Sequence, residues 1–242
     1  MSYYAYEDEE RTIEVLAESV DDDNKLEYYF CPIKNCEARM SVRNIHGDRA
    51  AYFAANPSTP HSDFCRINRC TSPTQHDEEQ FNFDNFMNNL LNPNNFNNGN
   101  GDGGHGDGDG QIRPITTVRQ LYSVCIQRSI NQLYNGIRIA DLLIDSRTRH
   151  IYFNYILGNH LVECKFWRYD KENNLYYAKY WLDDEHNNFI AIKLICLNNN
   201  VFQRIFKRVF RRSFVVVGNW EMNGNICEAN IINSRQIYAL PD

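Results

Sequence analysis

A chain of 242 residues, 43% hydrophobic and 13% aromatic, can bury a real core, and its length and composition favour two small modules over one large domain. No apolar run approaches the roughly 18 residues of a membrane helix, and Met1-Ser2-Tyr3-Tyr4 runs into acids rather than a signal peptide, so a cytoplasmic protein with no membrane partner is expected. The net charge of −6 is uneven: residues 1–112 carry 8 Lys+Arg against 20 Asp+Glu, residues 113–242 carry 17 against 11, and only the second half suits a polyanion.

The first module is expected over 1–91. In a reducing compartment its cysteines read as metal ligands rather than disulfides. Cys31 and Cys36 form one short knuckle and His61 with Cys65 a second close pair. Between them, residues 40–55 alternate as a hairpin about His46-Gly47-Asp48. Four such ligands close a tetrahedron and leave no position for substrate water, so a structural zinc is expected at Cys31, Cys36, His61 and Cys65. Phe30-Cys31-Pro32, Cys36, Tyr52-Phe53-Ala54 and His61 with Cys65 resemble the zinc-ribbon-like segment of competence-protein CoiA-like bacterial sequences, although the first knuckle is two residues wider than Cys-x-x-Cys. Cys70 is the alternative to His61 as fourth ligand. Residues 78–91 set Phe81, Phe86, Leu90 and Leu91 at helical spacing, a short helix expected to pack on this module.

Residues 92–112, rich in Asn, Gly and Asp, cannot offset the entropy of ordering and read as a disordered linker. The second module follows over 113–242. Its apolar pattern predicts a helix over 116–134, strands over 161–169, 175–182 and 189–197, a helix over 201–212, and strands over 214–220 and 226–232 joined at Asn223-Gly224. The fold class is therefore mostly β, with helices (α+β). Five strands with a helix between the third and fourth is the element order of the OB-fold, and 214–220 with 226–232 and Gln236-Ile237-Tyr238 resembles the end of such a barrel.

Strand alternation sorts these side chains into two faces. Val162, Cys164, Phe166, Tyr176, Ala178, Tyr180, Leu182, Ile190, Ile192, Leu194 and Cys196 form the inward set; Lys165, Trp167, Tyr169, Tyr177, Lys179, Trp181 and Lys193 form the outward one. Rings interleaved with lysines suit base stacking and phosphate tracking, so the expected function is accessory binding of single-stranded DNA or RNA, without chemistry of its own. Two alternatives compete. One is an adaptor whose aromatic face meets another protein; the other is a metal-dependent nuclease built on Asp141 or Asp145, Glu163 and Lys165, a domain type that the CoiA-like resemblance also implies. Cys125, Cys164, Cys196 and Cys227 read as core thiols.

Overall fold

A computed structural model describes residues 1–68, 76–92 and 114–241. Cys70, and all but the first residue of the expected 92–112 linker, lie outside the described residues. The chain divides into two compact units, one from Met1–Thr74 with Ser123–Gln132 and one from Gln75–Tyr122 with Leu133–Asp242. Among the described residues no helix is long and apolar enough to cross a membrane.

The first unit is an antiparallel sheet of β1 (Tyr4–Tyr6), β2 (Glu14–Leu16), β3 (Tyr29–Phe30), β4 (Arg39–Arg43) and β5 (Tyr52–Ala55), in the order β2-β1-β3-β4-β5. The hairpin read from residues 40–55 is β4–β5, with Met40 opposite Ala55 and Val42 opposite Phe53. Met40 and Val42 point inward and Arg39 and Arg43 outward, as period two demands. Ser2 exchanges backbone bonds of 2.9 and 2.7 Å with Phe53, so the chain's start pairs with the last strand and the sheet curls on itself. Tyr4, Tyr29, Met40, Phe53 and Ile67 fill the interior. Residues 123–132 lie along β1: Gln127 O accepts from Tyr3 N at 2.8 Å, and Ser129 Oγ donates to Glu14 at 2.6 Å.

The second unit begins with α1 (Phe83–Leu91), capped by Asn82, whose side chain accepts from Asn85 N at 2.8 Å. This helix was expected on the first module but packs within the second unit. A helix C-terminus leaves carbonyls unsatisfied, and here Leu90 O accepts from Asn233 Nδ2 at 2.6 Å and from Arg235 at 3.1 Å. Phe81 packs 5.0 Å from the Tyr134 ring, and its carbonyl accepts from Asn135 at 2.6 Å. A boundary at residue 91 or 113 would cut these ties.

Helix α2 (Val118–Ile126) stops well short of Tyr134. Ser129 N instead donates to the Gln132 side chain at 2.9 Å, and Asn135-Gly136, with φ of 44° and 76°, turns β6 (Leu133–Tyr134) into β7 (Ile137–Arg138). A short helix α3 (Ile139–Leu142) and β8 (Leu143–Ile144) follow.

The remaining strands are β9 (Gly158–Asp170), β10 (Leu175–Trp181), β11 (Phe189–Cys196), β12 (Ser213–Asn223), β13 (Ile226–Ile231) and β14 (Ile237–Ala239), with α4 (Asn199–Val209) between β11 and β12. Five of them close a barrel in the order β9-β10-β11-β13-β12 and back to β9, all antiparallel except β11 with β13. Pairing of β8 with β9 and β14 with β12 extends the sheet. The expected inward set fills the lumen, with Phe166 and Leu182 only partly buried. A barrel of this size is closed by side chains rather than enclosing a channel. Its wall is tight: a Cβ at Gly218 would stand 3.0 Å from that of Ala229. Helix α4 plugs the lumen with Phe202, Ile205 and Val209, and Phe202 stacks on Tyr176 at 4.5 Å and 12°.

That stack is the test of the core. Phe202→Ala should cost about 3–5 kcal/mol by urea denaturation, because it deletes a fully packed ring, whereas Phe153→Ala at a 58% exposed position should change stability by about 0.5 kcal/mol or less.

Candidate functional site

In the first unit, Cys31 directly follows β3, Cys36 precedes β4, and His61 and Cys65 come from the chain beyond β5, so the open end of the β4–β5 hairpin gathers all four. Their ligand atoms lie within 4.8 Å of one another. Cys31 and Cys65 sulfurs are 3.7 Å apart, and His61 Nδ1 is 3.5 Å from the Cys36 sulfur and 3.4 Å from that of Cys65. A tetrahedral ion with bonds of about 2.3 Å to sulfur and about 2.0 Å to nitrogen has edges of about 3.8 and about 3.5 Å, and these three separations match them. The three cysteines are fully buried. His61 Nε2 is buried with no hydrogen-bond partner among the described residues, so Nδ1 alone orients the ring.

Hydrogen bonding among the crowded thiols polarises them. Hydrogen bonding to Cys36 and Cys65 pushes the Cys31 thiol well up, while the same contacts hold Cys36 and Cys65 below the usual thiol range. Three sulfurs and one imidazole nitrogen form a donor set that a cation would complete.

The knuckle is held from outside by a residue that spacing did not single out. Asp8 folds the β1–β2 turn by accepting from Thr12 N at 2.8 Å, Thr12 Oγ1 at 2.9 Å and Ile13 N at 2.7 Å. Within that turn Arg11 takes φ 59°, and its guanidinium donates to Cys31 O at 2.9 Å and to Cys36 O at 2.8 Å. One planar fork thus fixes both ends of the knuckle and sets a positive charge beside the sulfurs. Asn35, at φ 64°, supplies the left-handed step inside it.

The second candidate lies on the outer face of β9, β10 and β11. Lys165 pairs with Lys179 and Phe166 with Ala178, but Tyr177 then pairs with Arg168, so Trp167 is an extra residue in a β-bulge. The bulge reverses the alternation beyond it. Arg168 comes to the outer face, and Tyr169, expected there, is set opposite Tyr176, where it packs on Phe206 of α4 at 5.1 Å and stays exposed on its other side. Lys193 is on the outer face but is paired to Glu228 at 3.0 Å.

What remains is a ladder of cations seated on rings. Arg168 lies 4.4 Å over Tyr177 and 4.9 Å over Trp167. Lys179 Nζ sits 4.8 Å from the Trp167 ring, 4.9 Å from Trp181 and 4.2 Å from Phe189, a geometry in which each ring's quadrupole favours the charge. Trp181 stacks on His186 at 4.8 Å, and its buried Nε1 has no hydrogen-bond partner among the described residues. Trp167 is 42% exposed and Phe189 36%. Neither Arg168 nor Phe189 stood in the expected set; the bulge hid the first and its place at the strand's edge the second.

The acidic residues of the nuclease alternative are engaged separately. Asp141 is bound by Arg138 at 2.8 Å, Asp145 is fully buried under Arg147 at 3.0 Å, and Glu163 accepts from Tyr122 at 3.0 Å. Among the described residues they form no metal-ligating group; the Cys/His cluster does. Cys125, Cys164, Cys196 and Cys227 are buried, and burial pushes the Cys164 and Cys227 thiols up and that of Cys196 to about 12, so they are inert core thiols. Comparison of the chain with protein-family models, curated proteins and solved structures gives no match, and its function is read from these two sites alone.

Proposed function

We propose that this protein is an accessory single-strand binder: the outer face of β9–β11 takes DNA or RNA, and a zinc ion at Cys31, Cys36, His61 and Cys65 stabilises the first unit as a zinc ribbon. The observation that carries the first part is the ladder of Arg168 and Lys179 among Tyr177, Trp167, Phe189 and Trp181, in which ring faces and unneutralised cations alternate. Bases stack on rings whatever their identity, and cations follow the phosphates. The barrel supports the same reading. Its order β9-β10-β11-β13-β12, with a helix between the third and fourth strands, is that of an OB-type barrel, a scaffold whose second and third strands bind oligonucleotides.

Zinc suits the donor set because three sulfurs and one imidazole are the soft and borderline ligands it prefers, and a filled tetrahedron makes the ion structural rather than catalytic. Elemental analysis should find about one zinc per chain, lost in a Cys31→Ser, Cys36→Ser double variant; zinc retained in full by that variant would overturn the site. Arg11→Gly, which tolerates the left-handed backbone and deletes the side chain that carries the guanidinium, should weaken zinc retention about 10–100-fold in a chelator competition, the usual effect of losing an outer-shell partner.

For the strand, fluorescence anisotropy with a labelled oligonucleotide should give a loss of about 1–3 kcal/mol for Trp167→Ala, and less for Trp181→Ala, one face of which His186 already covers. Affinity should fall steeply as salt rises. Absence of binding at low salt would leave the aromatic face to a protein partner.

A further inference from the structure

Beside the ladder, the bulge of β9 opens a groove of about 490 Å³ lined by Lys165, Phe166, Trp167, Arg168 and Tyr169, and walled by Phe210 and Arg211 from the turn after α4. The volume lies in the range of small-ligand sites, about 300–1,000 Å³. Three of the seven lining residues are cations and none is an acid. The nearest carboxylates along the strand are turned to other partners, Glu163 to Tyr122 at 3.0 Å and Asp170 to Asn173 at 2.8 Å. Among the described residues Lys165, Arg168 and Arg211 have no carboxylate partner, and the two arginines rest on rings instead, Arg211 at 5.1 Å over Phe210. Arg211 also holds φ 63°, a conformation uncommon for a residue other than Gly, Asn, Asp or His.

From this arrangement we infer that the groove is an end-recognition site, which takes the terminal phosphomonoester of a nucleic-acid strand with its nucleotide against Trp167 or Phe210. The inference rests on the strand-binding reading of the adjoining face and adds that the protein reads an end. The charge decides between an internal and a terminal phosphate. A phosphodiester brings one negative charge, whereas a monoester brings about −1.5 to −2 at neutral pH and more free oxygens for charge-assisted bonds. A groove lined by three cations and no acid matches the second. The charged groups facing the groove are Lys165, Arg168 and Arg211; His186 of the adjoining face acts on every strand alike, so a pH dependence of the difference between phosphorylated and hydroxyl-ended strands belongs to the phosphate.

The test uses the full-length protein and one internally labelled oligonucleotide sequence carrying hydroxyl ends, a 5′-phosphate or a 3′-phosphate. At pH 8 one phosphorylated form should bind about tenfold tighter than the hydroxyl form, as one or two charge-assisted hydrogen bonds would give, and the gap should narrow towards pH 5 as the monoester dianion takes up one proton near about pH 6. Arg211→Gly, which preserves the left-handed backbone, should close the gap and leave hydroxyl-ended binding unchanged, and Arg211→Lys should keep most of it. Equal binding of the three oligonucleotides, or a gap that survives in Arg211→Gly, overturns the end site while the strand-binding reading stands. If no oligonucleotide binds, that reading falls and adenosine 5′-monophosphate decides the groove by calorimetry. Uptake of it but not of adenosine, lost in Arg211→Gly, upholds a phosphate site; no uptake overturns it.

Discussion

A five-stranded barrel closes only when its first and last strands pair, and here β9 reaches β12 by dividing its length between two neighbours. Its first half runs against β12, Trp220 opposite Gly158 through Ser213 opposite Lys165, and its second half runs against β10. A strand that serves two neighbours must bend between them, and the bend falls at the Trp167 bulge. Much of the candidate interface follows from that one extra residue. It leaves Trp167 without a partner in the strand pairing, brings Arg168 between Trp167 and Tyr177, sets Tyr169 against Phe206, and lies beside the groove walled by Phe210 and Arg211. Closure and surface chemistry share one cause.

Backbone strain is distributed in the same places. Seven non-glycine residues among those described have positive φ, and four of them are asparagines, whose short side chain tolerates the left-handed region. The others are Arg11, His186 and Arg211. Arg11 grips the knuckle carbonyls of Cys31 and Cys36, His186 stacks on Trp181, and Arg211 walls the groove. Histidine enters this region more readily than arginine, so the two arginines are the informative ones. A conformation of this kind persists only where its surroundings fix it, and Asp8 with Thr12 and Ile13 does so for Arg11.

The sequence made the barrel legible because each strand is long enough for its alternation to show. The lumen residues from Val162 to Cys196 were read from period two alone, and the metal cluster from two close pairs of soft ligands. Three things were hidden, each for a physical reason. Strands β1, β2 and β3 have only three, three and two residues, too few for a period, and are held by pairing between segments far apart in the chain. The bulge cannot be seen in one strand, because it is a mismatch between two; hence period two alone sets Tyr169 beside Trp167, whereas the pairing sets it opposite Tyr176. The place of α1 depends on Asn233 and Arg235, more than 140 residues away, which take its terminal carbonyl. Apolar spacing shows that a helix needs a partner and not which partner it finds.

The charge of the second half also acquires a different meaning once its neighbours are known. Arg138, Arg147, Arg149 and Lys193 are each tied to a carboxylate, so they add little to the field a polyanion would meet. Arg168 and Lys179 are held by rings, which fix their position without cancelling their charge. A guanidinium flat on an aromatic ring keeps the edge of its fork free for phosphate oxygens, and an ammonium among rings is partly stripped of the water that would screen it. The rings in turn keep one face or edge open, Trp167 most of all. With the Trp181 indole N–H buried, the ladder is short of fixed donors and acceptors with which to distinguish one base from another. A surface built in this way grips a strand by stacking and charge, and is therefore tolerant of sequence.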